Sequence, residues 1–259
     1  MPDFNDALHT ELSADGYVIL PSQLNEAALD QAREEIGGLA AEVGWGSGFD
    51  GSRTRRVWAL LSRTRCMDTA ALDPVVLAMT DRVLGPGSQF SLTQATQIHA
   101  GEAAQVLHYE QGIYPLPRDR DLMLTAIWAL DDFTAANGAT LIVPRSHHGH
   151  DRRPDMTDAI PAEMPAGSVL VFLGRLWHAA GANVTGRPRL GVIIDYVQPW
   201  LRPCEAHTLS ANLDQVRSLP ERLQELLGFN QATPYLGFVA GQHPRAWLAR
   251  SGGRESREA

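Results

Sequence analysis

Two histidines and one glutamate have the side-chain types of a metal site. His108 and Glu110 are separated by one residue, and His178 lies much further along the chain. On a strand, positions i and i+2 point to the same face, so His108 and Glu110 could reach one ion. His178 follows the apolar segment 168–173, and a strand there could lie beside His108 in a closed β-fold. Two histidines and one carboxylate form the ligand set of non-haem iron(II) oxygenases.

Arg189 is a candidate partner for an anionic co-substrate of that metal. It follows His178 across the turn-rich segment 181–188, and a hairpin there would bring it back towards the site. A guanidinium can bind a carboxylate through two parallel hydrogen bonds. A keto-diacid that chelates a metal at one end needs such a partner at its other end. The alternative role for Arg189 is a surface ion pair, which contributes little.

A second group of histidines has a different setting. His147, His148 and His150 lie in the polar sequence PRSHHGHDRRPD. Such a stretch is typical of a turn, so we expect a solvated loop rather than a ligand set.

Apolar periodicity predicts the elements that would position these residues. Helical spacing occurs at residues 4–12, 25–43, 73–84 and 213–227. The glycine-rich segment 44–53 follows a helix rather than a strand, so it predicts a lid or surface loop and not a dinucleotide-binding turn. Strand-like runs rich in β-branched and aromatic residues occur at 16–20, 91–98, 122–130, 140–143, 168–173 and 190–197.

The order of these elements predicts a mainly β protein with flanking helices. We expect a single domain over residues 1–259, with a barrel or jelly-roll core and helices packed outside it. Its parts are expected to be a helical N-terminal part at about 1–90, a β core at about 91–200 and a C-terminal helix and capping segment at about 201–250.

Composition restricts the partners. The net charge of −8 argues against a nucleic-acid binder, which would normally have a basic surface. The sequence contains no secretory signal pattern and no apolar run long enough to span a membrane. Its two cysteines have no metal-binding spacing, which favours free thiols in a reducing compartment. We therefore expect a cytoplasmic monomer or homodimer that acts on a small molecule, without nucleic-acid or membrane partners.

Three segments resemble the phytanoyl-CoA dioxygenase (PhyH) family, and in particular its branch in bacterial and fungal natural-product pathways. They are QVLHYE, WALDDFTAANGATLIVPRSH and GSVLVFLGRLWHAAGANVTGRPRLGV, within residues 94–197. The resemblance implies a double-stranded β-helix (jelly roll, cupin-like) that uses iron(II), 2-oxoglutarate and dioxygen. By position, His108 and His178 match the metal histidines, and Arg189 matches the 2-oxoglutarate arginine. Gln105 and Thr140 match polar positions that often contact the co-substrate.

Glu110 departs from the family pattern, which usually has aspartate at this position. We expect a working iron ligand with a longer side chain; the alternative is impaired metal binding or a changed activity. A carboxylate here also argues against a halogenase, in which this residue is small and leaves room for chloride.

These observations predict an Fe(II)- and 2-oxoglutarate-dependent oxygenase that hydroxylates, desaturates or cyclises a small to medium-sized metabolite, in specialised biosynthesis. Two alternatives remain open: a cupin-type metalloenzyme, which needs the metal triad but not Arg189, and a non-catalytic binding protein on the same barrel. The segments 44–51 and 233–241 are candidate covers for the pocket mouth. Candidate aromatic lining residues, each of which could instead belong to the core, are Trp58, Tyr109, Tyr114, Phe133 and Trp200.

Overall fold

The computed structural model describes residues 4–149 and 152–251. Within these ranges the chain forms nine strands. They are β1 (Tyr17–Leu20), β2 (Thr54–Val57), β3 (Gln89–Ile98), β4 (Met123–Ala129), β5 (Thr140–Ile142), β6 (Ile160–Pro161), β7 (Val169–Leu173), β8 (His178–Ala180) and β9 (Arg189–Val197). Neighbouring strands are antiparallel and form a six-stranded sheet, in the order β1-β7-β4-β9-β3-β2, and a three-stranded sheet, in the order β6-β5-β8.

The larger sheet is buried on both faces, and alternate residues of its strands serve two cores. On β4, Leu124 and Trp128 belong to the hydrophobic core between the larger sheet and the helices. Ile127 points the other way and belongs to a second hydrophobic core, with Ile142 of β5. This follows from the two-residue period of a strand. The second core therefore fills the space between the two sheets. Two facing antiparallel sheets with helices on the outer face of one of them confirm the predicted double-stranded β-helix.

Helices cover the outer face of the larger sheet and form the first and last elements of the described residues. The helix predicted at 25–43 is present as Glu26–Glu42, and the Asn25 side chain accepts a hydrogen bond from the amide of Ala28. The α-helices are α1 (Phe4–Asp15), α2 (Glu26–Glu42), α3 (Leu60–Arg63), α4 (Asp68–Ala71), α5 (Pro74–Leu84), α6 (His207–Ser210), α7 (Leu213–Ser218), α8 (Glu221–Leu226) and α9 (Pro244–Ser251).

Two sequence predictions of the elements need correction. The helix expected at 213–227 is two helices, α7 and α8, because Pro220 lacks an amide hydrogen and stands at the start of the second. The N-terminal part, predicted to be helical apart from the strand at 16–20, also contributes β2, which pairs with β3 at the edge of the larger sheet. No helix among the described residues is long and apolar enough to cross a membrane.

Candidate metal centre and co-substrate pocket

His108, Glu110 and His178 lie together at one end of the space between the sheets. Each offers a ligand atom within 4.8 Å of the other two. The Nε2 atom of His178 is 3.1 Å from Oε1 of Glu110, and Nε2 of His108 is 3.9 Å from the same oxygen. The two histidines are joined by an antiparallel β-bridge whose backbone hydrogen bonds measure 2.9 and 2.8 Å. The bridge holds together two residues that are distant along the chain.

Glu110 reaches the site from a turn and not from a strand. His108 is part of the β-bridge, but Glu110 is the first residue of a 3-10 helix, Glu110–Ile113. The prediction that both residues share one face of a strand is therefore wrong for Glu110. Gln111 fixes the turn, because its buried amide donates to the carbonyl of Arg120 at 3.0 Å and accepts from the amide of Leu122 at 3.2 Å.

Backbone carbonyls orient both imidazoles. Nδ1 of His108 lies 3.1 Å from the carbonyl of Val106, and Nδ1 of His178 lies 3.0 Å from the carbonyl of Leu176. A carbonyl can only accept, so each Nδ1 donates to its carbonyl and each Nε2 faces Glu110. Burial, and then the neighbouring His178, lower the pKa of His108 to about 4, so this ring is neutral at pH 7.

The carboxylate of Glu110 is ionised in the same place. Burial alone would raise its pKa, but His178, His108 and the nearby Arg56 together lower the pKa below its usual value. The Nε2 atoms of two imidazoles and one carboxylate thus converge on one point. A divalent cation satisfies all three groups, so the donor set fits an iron(II) ion.

Arg189 is a buried cation on the larger sheet. It is the first residue of β9, and its guanidinium lies 4.0 Å from the centre of the Phe133 ring. One nitrogen donates to the carbonyl of Gly138, whereas Nε has no partner, and the side chain forms no ion pair with the described residues. Burial lowers its pKa to about 9, against the opposing effect of Asp131, so it remains charged at pH 7. A buried guanidinium with an unsatisfied nitrogen fits an anionic ligand.

The other two residues predicted to contact the co-substrate line the same cavity as Arg189 and the three metal-ligand candidates. Thr140 is buried at the start of β5. Gln105 uses both ends of its amide on the backbone: Nε2 donates to the carbonyl of Phe49 at 2.8 Å, and Oε1 accepts from the amide of Ala180 at 3.0 Å. Gln105 thereby ties the glycine-rich loop to β8. A direct contact between Gln105 and a co-substrate stays a prediction.

The cavity has a volume of about 650 Å³, and its walls come from both sheets. Sequence reasoning missed two of its polar residues, Arg56 on β2 and Gln94 on β3. Arg56 donates to Oε1 of Gln94 at 2.9 Å and lies 3.3 Å from Oδ1 of Asp50, and Nε2 of Gln94 is buried without a partner. Gln94 lies in the strand-like run 91–98, which also contains Gln97 and three hydroxyl residues, so its polarity alone did not mark it as a functional position.

Of the five candidate aromatic residues, the structure brings Trp58 and Tyr109 to the cavity. Tyr114 instead donates from its hydroxyl to a backbone carbonyl at 2.7 Å, Phe133 is buried beneath Arg189, and Trp200 borders a separate cleft. The glycine-rich loop contributes Phe49 and Asp50 to the cavity, which agrees with its predicted place at the mouth. The segment 233–241 does not line this cavity; residues 237 and 239 border another one.

The second histidine group is partly structural. His147 is buried, its Nε2 lies 3.0 Å from the carbonyl of Ser13, and its ring contacts His148 with centroids 3.8 Å apart. The prediction of a solvated loop is therefore wrong for His147, whose ring fills the space beside Gly16. His150 lies outside the described residues.

Comparison with known proteins identifies the family. A model of the phytanoyl-CoA dioxygenase (PhyH) family matches residues 12–191. The dioxygenase FUM3 of Gibberella moniliformis is 32% identical over 248 residues, which cover 85% of this chain and 81% of that protein. The dioxygenase ALT11 of Alternaria alternata is 33% identical over 251 residues, which cover 88% of this chain and 83% of that protein.

A solved structure shows the same fold. The non-haem α-ketoglutarate-dependent epimerase SnoN from nogalamycin biosynthesis superimposes with a TM-score of 0.66 and 24% sequence identity, and the match covers 84% of this chain and 90% of that one. Fold and site thus define the class of iron- and 2-oxoglutarate-dependent dioxygenases. Within that class the chain belongs to the phytanoyl-CoA dioxygenase family.

Proposed function

We propose that His108, Glu110 and His178 bind one iron(II) ion, and that Arg189 binds 2-oxoglutarate in the oxidation of a small to medium-sized metabolite. The main support for this proposal is that three potential metal-ligand atoms lie within 4.8 Å of one another, in the cavity that Arg189 also lines. The unpaired Nε of the buried Arg189 supports the co-substrate role. It also argues against a cupin-type enzyme without 2-oxoglutarate, because such an enzyme gains nothing from a buried unpaired cation.

Bound iron and 2-oxoglutarate would supply the oxygen-activating chemistry. The chain supplies position, charge and exclusion of water. The carbonyls of Val106 and Leu176 hold the imidazoles in the tautomer that leaves Nε2 free. Arg189 would orient the co-substrate through a carboxylate, with Thr140 beside it. In the low dielectric of a buried site this charge pairing is stronger than in water.

The substrate would occupy the rest of the cavity. A volume of about 650 Å³ with mainly apolar walls is suited to a compact hydrophobic metabolite. Two structural neighbours from nogalamycin biosynthesis, the epimerase SnoN and the carbocyclase SnoK, favour specialised metabolism. Hydroxylation, desaturation and cyclisation are all open to this site, because the outcome depends on which substrate carbon faces the metal.

The remaining expectations belong to the same proposal. We infer one domain over residues 1–259 that acts in the cytoplasm as a monomer or homodimer. The net charge of −8 supports the expectation that nucleic acid is not a partner.

Anaerobic titration of the purified protein with iron(II) and 2-oxoglutarate tests the assignment. The measured signal is the weak visible charge-transfer band of the iron–2-oxoglutarate chelate. We expect the band in the unaltered protein and its loss or weakening in Glu110→Ala and Arg189→Ala. The matched control is Arg187→Ala, which removes an exposed arginine two positions from Arg189.

Two results would contradict the proposal. An unchanged titration in Arg189→Ala would assign the co-substrate to other residues. Absence of the band in folded protein would favour a non-catalytic protein or a metalloenzyme that does not use 2-oxoglutarate.

A further inference from the structure

A second cavity lies outside the candidate active site. Its volume is also about 650 Å³, and it forms where the start of β3 meets α6, α7 and the C-terminal segment. Phe90, Leu213, Phe229 and Trp247 give it an apolar wall. Segment 233–241, one of the two segments predicted to cover the active-site mouth, borders this second cavity instead, through Gly237 and Val239. A cavity of this volume is within the range that small-molecule ligands occupy.

His207 gives this cavity a polar group that the protein leaves unused. The residue is 3% exposed, lines the cavity, and has no hydrogen-bond partner at Nδ1 or Nε2. The Ser91 carbonyl accepts from the amide of Glu205 at 2.9 Å; it raises the pKa of the His207 ring, but its geometry to that ring falls short of a hydrogen bond. A buried polar group without a partner costs on the order of 1–3 kcal/mol. A ligand that bonds to the ring would remove this cost.

The two cavities are separate. Cys204 is the residue that lines both of them, so the chain around it forms the partition. Behind the partition, the carboxylate of Glu205 is held by the structure, since it accepts from the amide of Ala59 at 2.6 Å and from the amide of Thr93 at 2.8 Å. Neither the metal ligands nor Arg189 borders the second cavity.

We propose that the second cavity binds an uncharged, mainly apolar small molecule whose hydroxyl or carbonyl group hydrogen-bonds to His207. A neutral imidazole has one donor and one acceptor nitrogen, so it can pair with either group. The site is independent of the proposed oxygenase function, because no metal ligand contributes to it.

Charge in the cavity favours an uncharged ligand. The Glu205 carboxylate lies 3.9 Å from Nδ1 of His207 and would repel an anion placed at the ring. The exposed Arg202 lies at the rim and faces solvent, where its attraction for an anion is screened. A cation at the ring would lose its hydration against an apolar wall, and the Glu205 carboxylate is already satisfied by the amides of Ala59 and Thr93.

Binding of 2-naphthol, a neutral aromatic alcohol, tests the proposal. The protein is labelled with ¹⁵N-histidine, and imidazole nitrogen resonances are followed during titration. The His207 signal is assigned by its absence in His207→Phe. We expect saturable shifts of the His207 nitrogens in the unaltered protein. We expect weaker shifts with 2-naphthoate, which has a similar ring system and a negative charge.

Two bulky substitutions distinguish the cavities. Ala206→Trp fills the second cavity from an exposed position, and Ile113→Trp narrows the active-site cavity from another exposed position. We expect Ala206→Trp to abolish the His207 shifts and Ile113→Trp to preserve them. His207→Phe should weaken 2-naphthol binding at this cavity by about tenfold, the effect of one lost buried hydrogen bond.

The opposite pattern would overturn the proposal. Saturating 2-naphthol that leaves the His207 nitrogens unmoved would mean that the cavity does not bind such a molecule. Loss of the shifts in Ile113→Trp but not in Ala206→Trp would assign binding to the active-site cavity alone. Ala206→Trp retains His207 and its core contacts, and His207→Gln, which keeps a polar side chain, can assign the signal, so the test stands even if His207→Phe does not fold.

Discussion

At the scale of single residues, the length of the Glu110 side chain matches the turn that carries it. Its carboxylate lies 3.1 Å from Nε2 of His178 although its backbone has already left the β-bridge. An aspartate there would withdraw the carboxylate by about 1.5 Å, the length of one carbon–carbon bond. The sequence predicted the ligand type but not this geometry, because the 3-10 turn depends on hydrogen bonds of Gln111 to distant backbone.

Glu110→Asp should therefore weaken metal binding rather than restore a family optimum. We expect the dissociation constant for iron(II) to rise on the order of tenfold, a size typical of misplaced groups around a metal site. Anaerobic calorimetry measures it. Glu102→Asp is the control, because Glu102 binds the backbone of Arg53 and is not one of the three metal-ligand candidates. Unchanged or tighter iron binding in Glu110→Asp would show that the turn adapts to the shorter side chain.

The shape of Arg189, as well as its charge, should matter for co-substrate binding. Arg189→Lys keeps a cation but loses the planar pair of donors and the stacking on Phe133. We expect the dissociation constant of 2-oxoglutarate, measured anaerobically with the metal present, to rise about tenfold to a hundredfold. Arg187→Lys should leave it unchanged. Equal affinity in Arg189→Lys would indicate that a simple point charge suffices.

His207 should make the protein less stable as the pH falls. Burial, only partly opposed by the Ser91 backbone, lowers its pKa from 6.5 to about 4. Below pH 6.5 the unfolded chain therefore binds a proton that the native chain does not, and the free energy of unfolding falls until about pH 4. This loss is on the order of 1 kcal/mol by pH 5.5. Glu205 and Arg202, the other charged groups near the ring, are present both in the unaltered protein and in His207→Phe, so their titration affects both proteins.

Urea unfolding of the unaltered protein and of His207→Phe measures this effect. The difference in the free energy of unfolding should be constant above pH 7 and should shift in favour of the variant between pH 6.5 and 5.5. A difference that does not change with pH would contradict a neutral buried His207.

At the scale of elements, local signals predicted what local interactions determine. The starts of α2 and α5 follow from their capping residues. Asp73, immediately before α5, accepts hydrogen bonds from the amides of Val75 and Val76 in the first turn of that helix. The strands with long apolar runs were also evident in the sequence. By contrast, β2 and β8 are short and exist through pairing with β3 and β5, so their own residues carry little signal.

Asp73→Ala should destabilise the fold through the start of α5. Two amides lose their acceptor, and we expect a loss of about 1 kcal/mol in the free energy of unfolding. Asp73→Ser should retain most of the stability, because a serine oxygen can also cap. Urea denaturation measures both. Asp30→Ala serves as the control, because it removes an exposed carboxylate that pairs with Arg33 on the surface. This control should lower the free energy of unfolding by less than about 0.5 kcal/mol, as is usual for surface substitutions. Equal losses in Asp73→Ala and Asp30→Ala would exclude a capping role.

At the scale of the whole molecule, the candidate site combines residues from both sheets. His178 begins β8 of the smaller sheet, whereas Arg189 begins β9 of the larger one, and the turn 181–188 separates them. The spacing of His178 and Arg189 in the sequence predicted this return. The bridge between His108 and His178 could not be predicted from local pattern, because it depends on how the complete barrel closes.

Because the proposed ligands contact both sheets, their binding should stabilise the whole fold in two separable steps. Manganese(II), a redox-stable substitute for iron, should raise the midpoint of thermal unfolding, and 2-oxoglutarate should raise it further. A ligand that binds only the native state adds about 2.7 kcal/mol at one hundred times its dissociation constant. Glu110→Ala should weaken both steps, whereas Arg189→Ala should retain the metal step and lose the 2-oxoglutarate step. If 2-oxoglutarate stabilises Arg189→Ala as strongly as the unaltered protein, the co-substrate does not link the sheets through this arginine.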